Sequence, residues 1–160
     1  MKSASLKDLL WVIVQLLLLA AILLVPSFRL LPLLVPLYPL GLLIGAAGLA
    51  ISGLATWQLQ KGRSLTPMPS PRSAATLLEN GLYRHVRHPV YSGLLVWAFG
   101  MAVAAASVLH FLLFGLLWAF FHAKAAHEER LLALKFSDYP AYIARTPRFF
   151  PRLNHRQITP

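Results

Sequence analysis

The sequence has no cysteine, which excludes disulfides, zinc–thiolate sites, thiol nucleophiles and iron–sulfur clusters. Charge is also scarce. Charged residues make up 12% of the 160 positions, against about a quarter in an ordinary soluble domain. Only five residues are acidic, so two acids side by side stand out. No internal repeat is present. What abounds is apolar side chain, 58% of the residues, gathered into long runs as membrane spans require. The net charge of +10 would suggest nucleic acid in a soluble protein. Here the basic residues flank apolar runs, so the expected contact is anionic membrane lipid, and no nucleic-acid partner is expected.

The pattern predicts an all-α integral membrane protein with about four transmembrane helices. The first span covers residues 9–25, with Gln15 its only polar member. It is longer than the roughly 7–15 residues of a signal-peptide core, and no small-x-small cleavage site follows, so it reads as retained. As a helix it is about 26 Å long, close to the hydrocarbon thickness. Residues 26–39 are apolar but carry Pro26, Pro32, Pro36 and Pro39. Four prolines argue against a regular spanning helix and for an outer-surface or re-entrant connection. The second span runs over about 40–57 and contains Gly41, Gly45, Gly48 and Gly53. The GxxxG pair Gly41/Gly45 predicts a packing role, a weak signal because the motif is common in apolar runs.

Residues 61–76, with Pro67, Pro69 and Pro71, read as an extended surface linker. A short interfacial helix is expected over 76–88, broken at Asn80-Gly81. The third span covers 90–108 and the fourth 111–126. A tight turn at 107–110 makes them a C-terminal helical hairpin, about 90–135, whose second helix continues into the cytoplasm. An irregular tail follows Phe136, with Tyr139-Pro140, Pro147 and Pro151. The expected division is a two-span membrane region over 1–60 and a linker, hairpin and tail forming the site over 61–160. Lys2 and Lys7, the loop after span two and the tail hold nearly all the Lys and Arg, whereas the other side holds only Arg29. The positive-inside rule then puts both termini in the cytoplasm. Short length and heavy Leu and Ala content point to a prokaryotic inner membrane.

This topology joins two polar clusters. One is Tyr83-Arg84-His85-Val86-Arg87-His88-Pro89-Val90-Tyr91-Ser92-Gly93, where span three begins; the other runs from His122 to Arg130 and includes Glu128 and Glu129. Ionisable groups at membrane depth are costly unless paired or used, which makes the convergence a functional hypothesis. Each cluster alone has a plainer explanation. Arg84 and Arg87 are suited to anchoring on lipid phosphate, and Glu128 and Glu129 to pairing locally with Lys124, Arg130 or Lys135. His85 and His88 are three apart and His122 and His127 five apart. Without thiols or an HExxH pattern, no metal site is expected. His110 belongs to the outer turn, away from both clusters.

Arg87-His88-Pro89-x-Tyr91-x-Gly93, preceded by Gly81-x-Tyr83-Arg84, resembles the RHPxYxG segment of the isoprenylcysteine carboxyl methyltransferase family and its phospholipid-methyltransferase relatives. Glu128-Glu129-x-x-Leu132, Phe136, Tyr139, Tyr142 and the close Arg148-Phe149-Phe150-Pro151 resemble its second motif. The resemblance covers roughly residues 66–151. Phe136-Ser137 stands where the family has Phe-Gly, and the N-terminal half carries no family signature. The resemblance implies methyl transfer from S-adenosylmethionine, the cofactor lying at the cytoplasmic ends of the last two helices with the C-terminal segment folded over it. It implies Arg87 and Glu129 as catalytic residues, and Tyr83, Arg84, His88, Pro89, Tyr91, Gly93, His122, Glu128, Glu129 and Tyr139 as cofactor-binding ones.

Carboxylates suit the sulfonium and ammonium of such a cofactor, and Arg or His suits its carboxylate. Gly93 would let the helix backbone or the cofactor come close. An isoprenylcysteine carboxylate is the acceptor favoured, entering sideways from lipid and oriented by Arg87. A phospholipid amine and a small hydrophobic thiol or acid also suit the site. The contrasting reading is a non-enzymatic membrane module that binds anionic lipid or a partner. A transporter subunit is disfavoured, because Gln15 is the one polar group inside a span. No oligomeric state follows from the sequence.

Overall fold

A computed structural model describes residues 6–27, 36–61 and 77–152. The described residues form helices and no strand: α1 (Leu6–Leu24), α2 (Tyr38–Lys61), a 3-10 turn (Gly81–Arg84), α3 (Pro89–Ala105), α4 (Val108–Lys135) and α5 (Tyr139–Arg145). Three of these, α1, α2 and α4, are long and apolar enough to cross a membrane, whereas α3 is apolar but shorter, at 17 residues. Their leucines are largely exposed, as expected where lipid rather than water covers the surface. α4 has 28 residues, about 42 Å of helix against about 30 Å of hydrocarbon. Glu128 and Glu129 lie in its C-terminal third.

The tightest packing joins α2 to α3, which run in opposite directions. Cβ atoms built on Gly41 and Gly48 would lie 2.5 and 2.4 Å from the backbone nitrogens of Ala104 and Trp97. One built on Gly100 would lie 2.4 Å from the Gly45 nitrogen, and one on Gly93 2.5 Å from the Ser52 nitrogen. The helices therefore meet backbone to backbone, which only glycine at these positions permits. The weak signal of Gly41/Gly45 is thus part of the main contact of the fold. α3 and α4 also run in opposite directions: the rings of Phe99 and Phe114 are 5.7 Å apart and those of Tyr91 and Phe121 4.5 Å apart. Ile22, Leu95, Trp97, Leu117, Phe121 and Phe149 form the core between α1, α3, α4 and the C-terminal segment.

Several boundaries differ from expectation, and proline accounts for two. Pro39 and Pro140 sit in the first turns of α2 and α5, where a missing N–H costs nothing and φ is already helical. The tail expected to be irregular therefore contains a helix. The short helix expected over 76–88 is only the 3-10 turn. It opens on Gly81, whose φ of 61° an L side chain adopts poorly. The reversal between α3 and α4 occupies Ala106 and Ser107, so residues 108–110 are already helical. The linker over 62–76 and most of the proline-rich connection lie outside the described residues.

Candidate active site

Pro89 starts α3 and leaves His88 as its N-cap, so Arg87 and His88 arrive on a non-helical backbone beside α4. The C-terminal segment docks on the same stretch. The Arg87 amide donates to the Pro147 carbonyl (2.8 Å) and the His88 amide to the Arg148 carbonyl (3.0 Å). The Ser92 hydroxyl donates to the Phe149 carbonyl at 2.6 Å. α5 is fixed from the other side, where the Tyr142 hydroxyl donates to the Tyr83 carbonyl at 2.5 Å. Tyr83 in turn donates to Ala55 in α2 at 3.4 Å, and the Leu82 amide donates to Gln58 Oε1 at 3.1 Å.

Glu129 is the hub. Its Oε1 accepts from Arg87 Nε (3.0 Å) and Nη2 (2.9 Å) and from Arg148 Nε (3.0 Å), and it faces His88 Nε2 at 3.1 Å. Its Oε2 accepts from Arg148 Nη2 at 2.5 Å. Arg87 Nη1 also donates to the carbonyls of Ile143 (3.2 Å) and Thr146. One buried carboxylate thus gathers three basic side chains and ties α4 to the residues before α3 and to the C-terminal segment. The local pairing with Lys124, Arg130 or Lys135 that helical spacing suggests for Glu129 does not occur. Bonding to Glu129 raises the Arg148 guanidinium further above its ordinary range.

Glu128 is less engaged. It accepts from the Tyr91 hydroxyl and lies 3.6 Å from His88 Nδ1. His88 therefore bridges the two glutamates, and its ring stacks on Tyr91 at 5.4 Å. Tyr139 packs beneath this network, 1% exposed, and its hydroxyl has no hydrogen-bond partner among the described residues. Burial is the largest cause raising its phenol pKa, and Glu129 adds to the rise.

Tyr83, Arg87, His88, Tyr91, Glu128, Glu129 and Tyr139 thus come together. His122 stands at the rim, 3.5 Å from Arg148 Nη1 and edge-on to Phe149. Pro89 shapes the backbone from a buried position. Arg84 is exposed on the 3-10 turn, away from the glutamates. Gly93 faces α2, where it serves helix packing. Sequence reasoning did not single out Arg148, Thr146 or Ser92 as site residues. The Arg148-Phe149-Phe150-Pro151 close was the available signal, but its partners were not evident from spacing. Among the described residues no three His, Asp or Glu form a metal-binding group.

Residues 59–134 match the model of the isoprenylcysteine carboxyl methyltransferase family. The matched stretch contains Arg87, His88 and Glu129, which meet at the hub, whereas Arg148 and the rest of the second motif from Phe136 onward lie beyond it. The chain is therefore similar to this family over just under half of its length. Among its relatives, the protein-S-isoprenylcysteine O-methyltransferase of Schizosaccharomyces pombe is 38% identical over 77 residues, 47% of this chain and 33% of the relative. Protein-S-isoprenylcysteine O-methyltransferase B of Arabidopsis thaliana is 33% identical over 97 residues, 58% and 49% of the two chains. The nickel-cobalt-cadmium resistance protein NccN of Alcaligenes xylosoxydans xylosoxydans is 31% identical over 113 residues, 69% and 53%. The chain therefore spans from a third to about half the length of these relatives. α1, most of α2, α5 and the C-terminal segment lie outside the matched stretch.

Three tyrosines of the site, Tyr83, Tyr139 and Tyr142, have phenol pKa values raised above the ordinary 10.0, mainly by burial. Their folded forms hold protons that the unfolded chain releases near pH 10. Their contribution to stability is therefore intact below that pH and is lost as pH rises through it. The thermal midpoint of the detergent-solubilised protein should fall steeply above pH 10. Tyr142→Phe, which removes one of the three phenols, should make that alkaline fall shallower. An alkaline limb identical to that of the parent would contradict the assignment.

Proposed function

We propose that this protein is a membrane S-adenosylmethionine-dependent methyltransferase acting on a lipophilic carboxylate of the isoprenylcysteine type. In this reading α3 is the fourth membrane crossing, and α3 and α4 form a hairpin whose glutamate end faces the cytoplasm. The start of α1 and the C-terminal segment share that side, in a prokaryotic inner membrane. The observation that carries the proposal is the Glu129 hub, built from both family motifs and closed by the C-terminal segment. The residues suit the cofactor. Glu128 keeps lone pairs available for an ammonium or sulfonium, and Arg148, whose side chain is 29% exposed, keeps N–H groups for a carboxylate. The buried Tyr139 hydroxyl is one more donor in need of a partner.

The cofactor supplies an electrophilic methyl group on sulfur. Glu128, Arg148 and Tyr139 would hold it for transfer of that methyl group to a carboxylate oxygen of the acceptor, the C–S bond breaking as the C–O bond formed and its electron pair staying on sulfur. No proton moves, so no general base is required. The protein's task is alignment and exclusion of water. Glu129 holds Arg87, Arg148 and His88 in place, and the aromatic wall of Tyr91, Phe121 and Phe149 keeps the site dry.

Tyr139→Phe separates binding from folding. Removing an unpartnered buried hydroxyl should leave the thermal midpoint of the ligand-free protein unchanged or higher. The same change should weaken S-adenosylmethionine binding about fivefold to tenfold, as loss of one hydrogen bond does. Calorimetric titration of the purified protein checks this. Absence of saturable S-adenosylmethionine binding by well-folded parent protein would sink the proposed activity.

A further inference from the structure

Lys124 is 1% exposed on α4, one turn before Glu128, at a depth where a charged group is costly. Its ammonium donates to Oε1 of Gln15 in α1 at 2.5 Å and lies 5.3 Å from the centre of the Tyr91 ring. Every other buried cation of the site has a carboxylate within ion-pair distance: Arg87 and His88 reach Glu129, and His88 also approaches Glu128. Among the described residues Lys124 has none. Two of its three N–H donors have no hydrogen-bond partner there. Gln15 orients the ammonium without cancelling its charge. Glu128, one turn on, acts on this ammonium electrostatically without coming within ion-pair distance, so an under-bonded cation beside the network can still take an anion.

We propose that Lys124 binds the carboxylate of the acceptor, with Gln15 as the positioning residue that holds its ammonium ready. This rests on the methyltransferase reading and names the group that selects its substrate class. Arg87 is less available for that task, since four hydrogen bonds commit it to Glu129, Ile143 and Thr146. Lys124 has the right neighbours on both sides. Tyr91, whose ring lies 5.3 Å from the ammonium and whose hydroxyl donates to Glu128, links it to the glutamate side of the site, and the buried Phe121 and Leu117 make its surroundings apolar, as an isoprenoid chain would require. Methyl transfer turns the bound carboxylate into a neutral ester. The attraction to Lys124 then falls away, which favours product release.

The test uses the full chain in detergent with N-acetyl-S-farnesyl-cysteine as the acid and its carboxamide as the uncharged counterpart. Equilibrium binding of both is measured on the parent, Lys124→Met, Lys124→Arg, Gln15→Leu and Gln15→Glu proteins, with S-adenosylmethionine affinity and methyl transfer measured in parallel. The parent should bind the acid at least about tenfold more tightly than the carboxamide, the worth of one charge-assisted hydrogen bond. Lys124→Met should abolish that preference and raise the acceptor KM by a similar factor, with S-adenosylmethionine affinity changed by less than about twofold. Lys124→Arg should restore most of the preference. Gln15→Glu, which keeps a partner for the ammonium but neutralises it, should weaken acid binding without lowering the thermal midpoint. Gln15→Leu should reduce the preference only in part.

A merely structural lysine would lower stability and cofactor affinity together and leave the acid-to-carboxamide ratio untouched. An unaltered ratio in both Lys124→Met and Gln15→Glu overturns the proposal. A parent protein that prefers the acid through Lys124 yet transfers no methyl group supports this site and refutes the methyltransferase reading instead.

Discussion

Glu129→Ala is expected to abolish S-adenosylmethionine binding and to destabilise the fold by about 3–5 kcal/mol, the cost of stranding buried charge when one partner of an ion pair is removed. The loss is large because three basic side chains share the one carboxylate. Deleting it leaves Arg87 and His88 without their main partner and releases Arg148, so the C-terminal segment should loosen with the site. Limited proteolysis should then cut between Thr146 and Arg152 in the variant and spare the parent. Glu128→Ala is the informative contrast. Glu128 accepts one hydrogen bond from Tyr91 and faces His88 at 3.6 Å, so its removal should cost cofactor affinity while leaving the segment docked. Equal proteolytic sensitivity in both variants would show that Glu129 is not the hub described.

Gly100→Val should be the most damaging change outside the site. A Cβ there would lie 2.4 Å from the Gly45 nitrogen and 2.5 Å from the Gly41 carbonyl oxygen. Neither backbone atom can swing aside as a side chain would. The helices must separate, at a cost above the 1–3 kcal/mol or so usual for overpacking a core. Little folded protein should survive extraction, as read by size-exclusion chromatography and thermal unfolding. Gly53→Ala and Gly115→Ala are the controls, since a Cβ at either meets nothing within 4 Å. Both should be neutral or stabilising by about 0.5–1 kcal/mol, the ordinary gain for Ala over Gly in a helix. Parity between Gly100→Val and these controls would contradict the register of α2 on α3.

Much of this site was legible in the sequence because its parts are short, dense and at the ends of apolar runs. Arg87, His88, Tyr91, Glu128 and Glu129 could be paired from the motifs and from the proximity of spans three and four. The proportion in which they share charge could not. Hydropathy fixes where a helix begins and ends within a few residues, but says little about which face meets which neighbour. Hence the bond from Lys124 to Gln15, 109 residues apart, was invisible. Arg148 was seen only as part of a motif. The contact of Gly48 and Gly93 also depends on the register of one helix along another, and a GxxxG pattern alone does not supply it. Pro140 misled for a different reason: proline disrupts a helix interior but favours the first turn, and sequence alone did not show which applied.

The docking of residues 147–149 on 87–92 has a consequence for how the protein is made. Arg87 and His88 are synthesised well before Arg148, and Glu129 lies between them in the chain. While the ribosome is still reading that interval, Glu129 meets the earlier pair but not its second guanidinium, and the Arg87 and His88 amides lack the carbonyls they later find. Arrival of the last of these residues completes the structure. The network around Glu129 is therefore incomplete until the segment carrying Arg148 has been made and has docked.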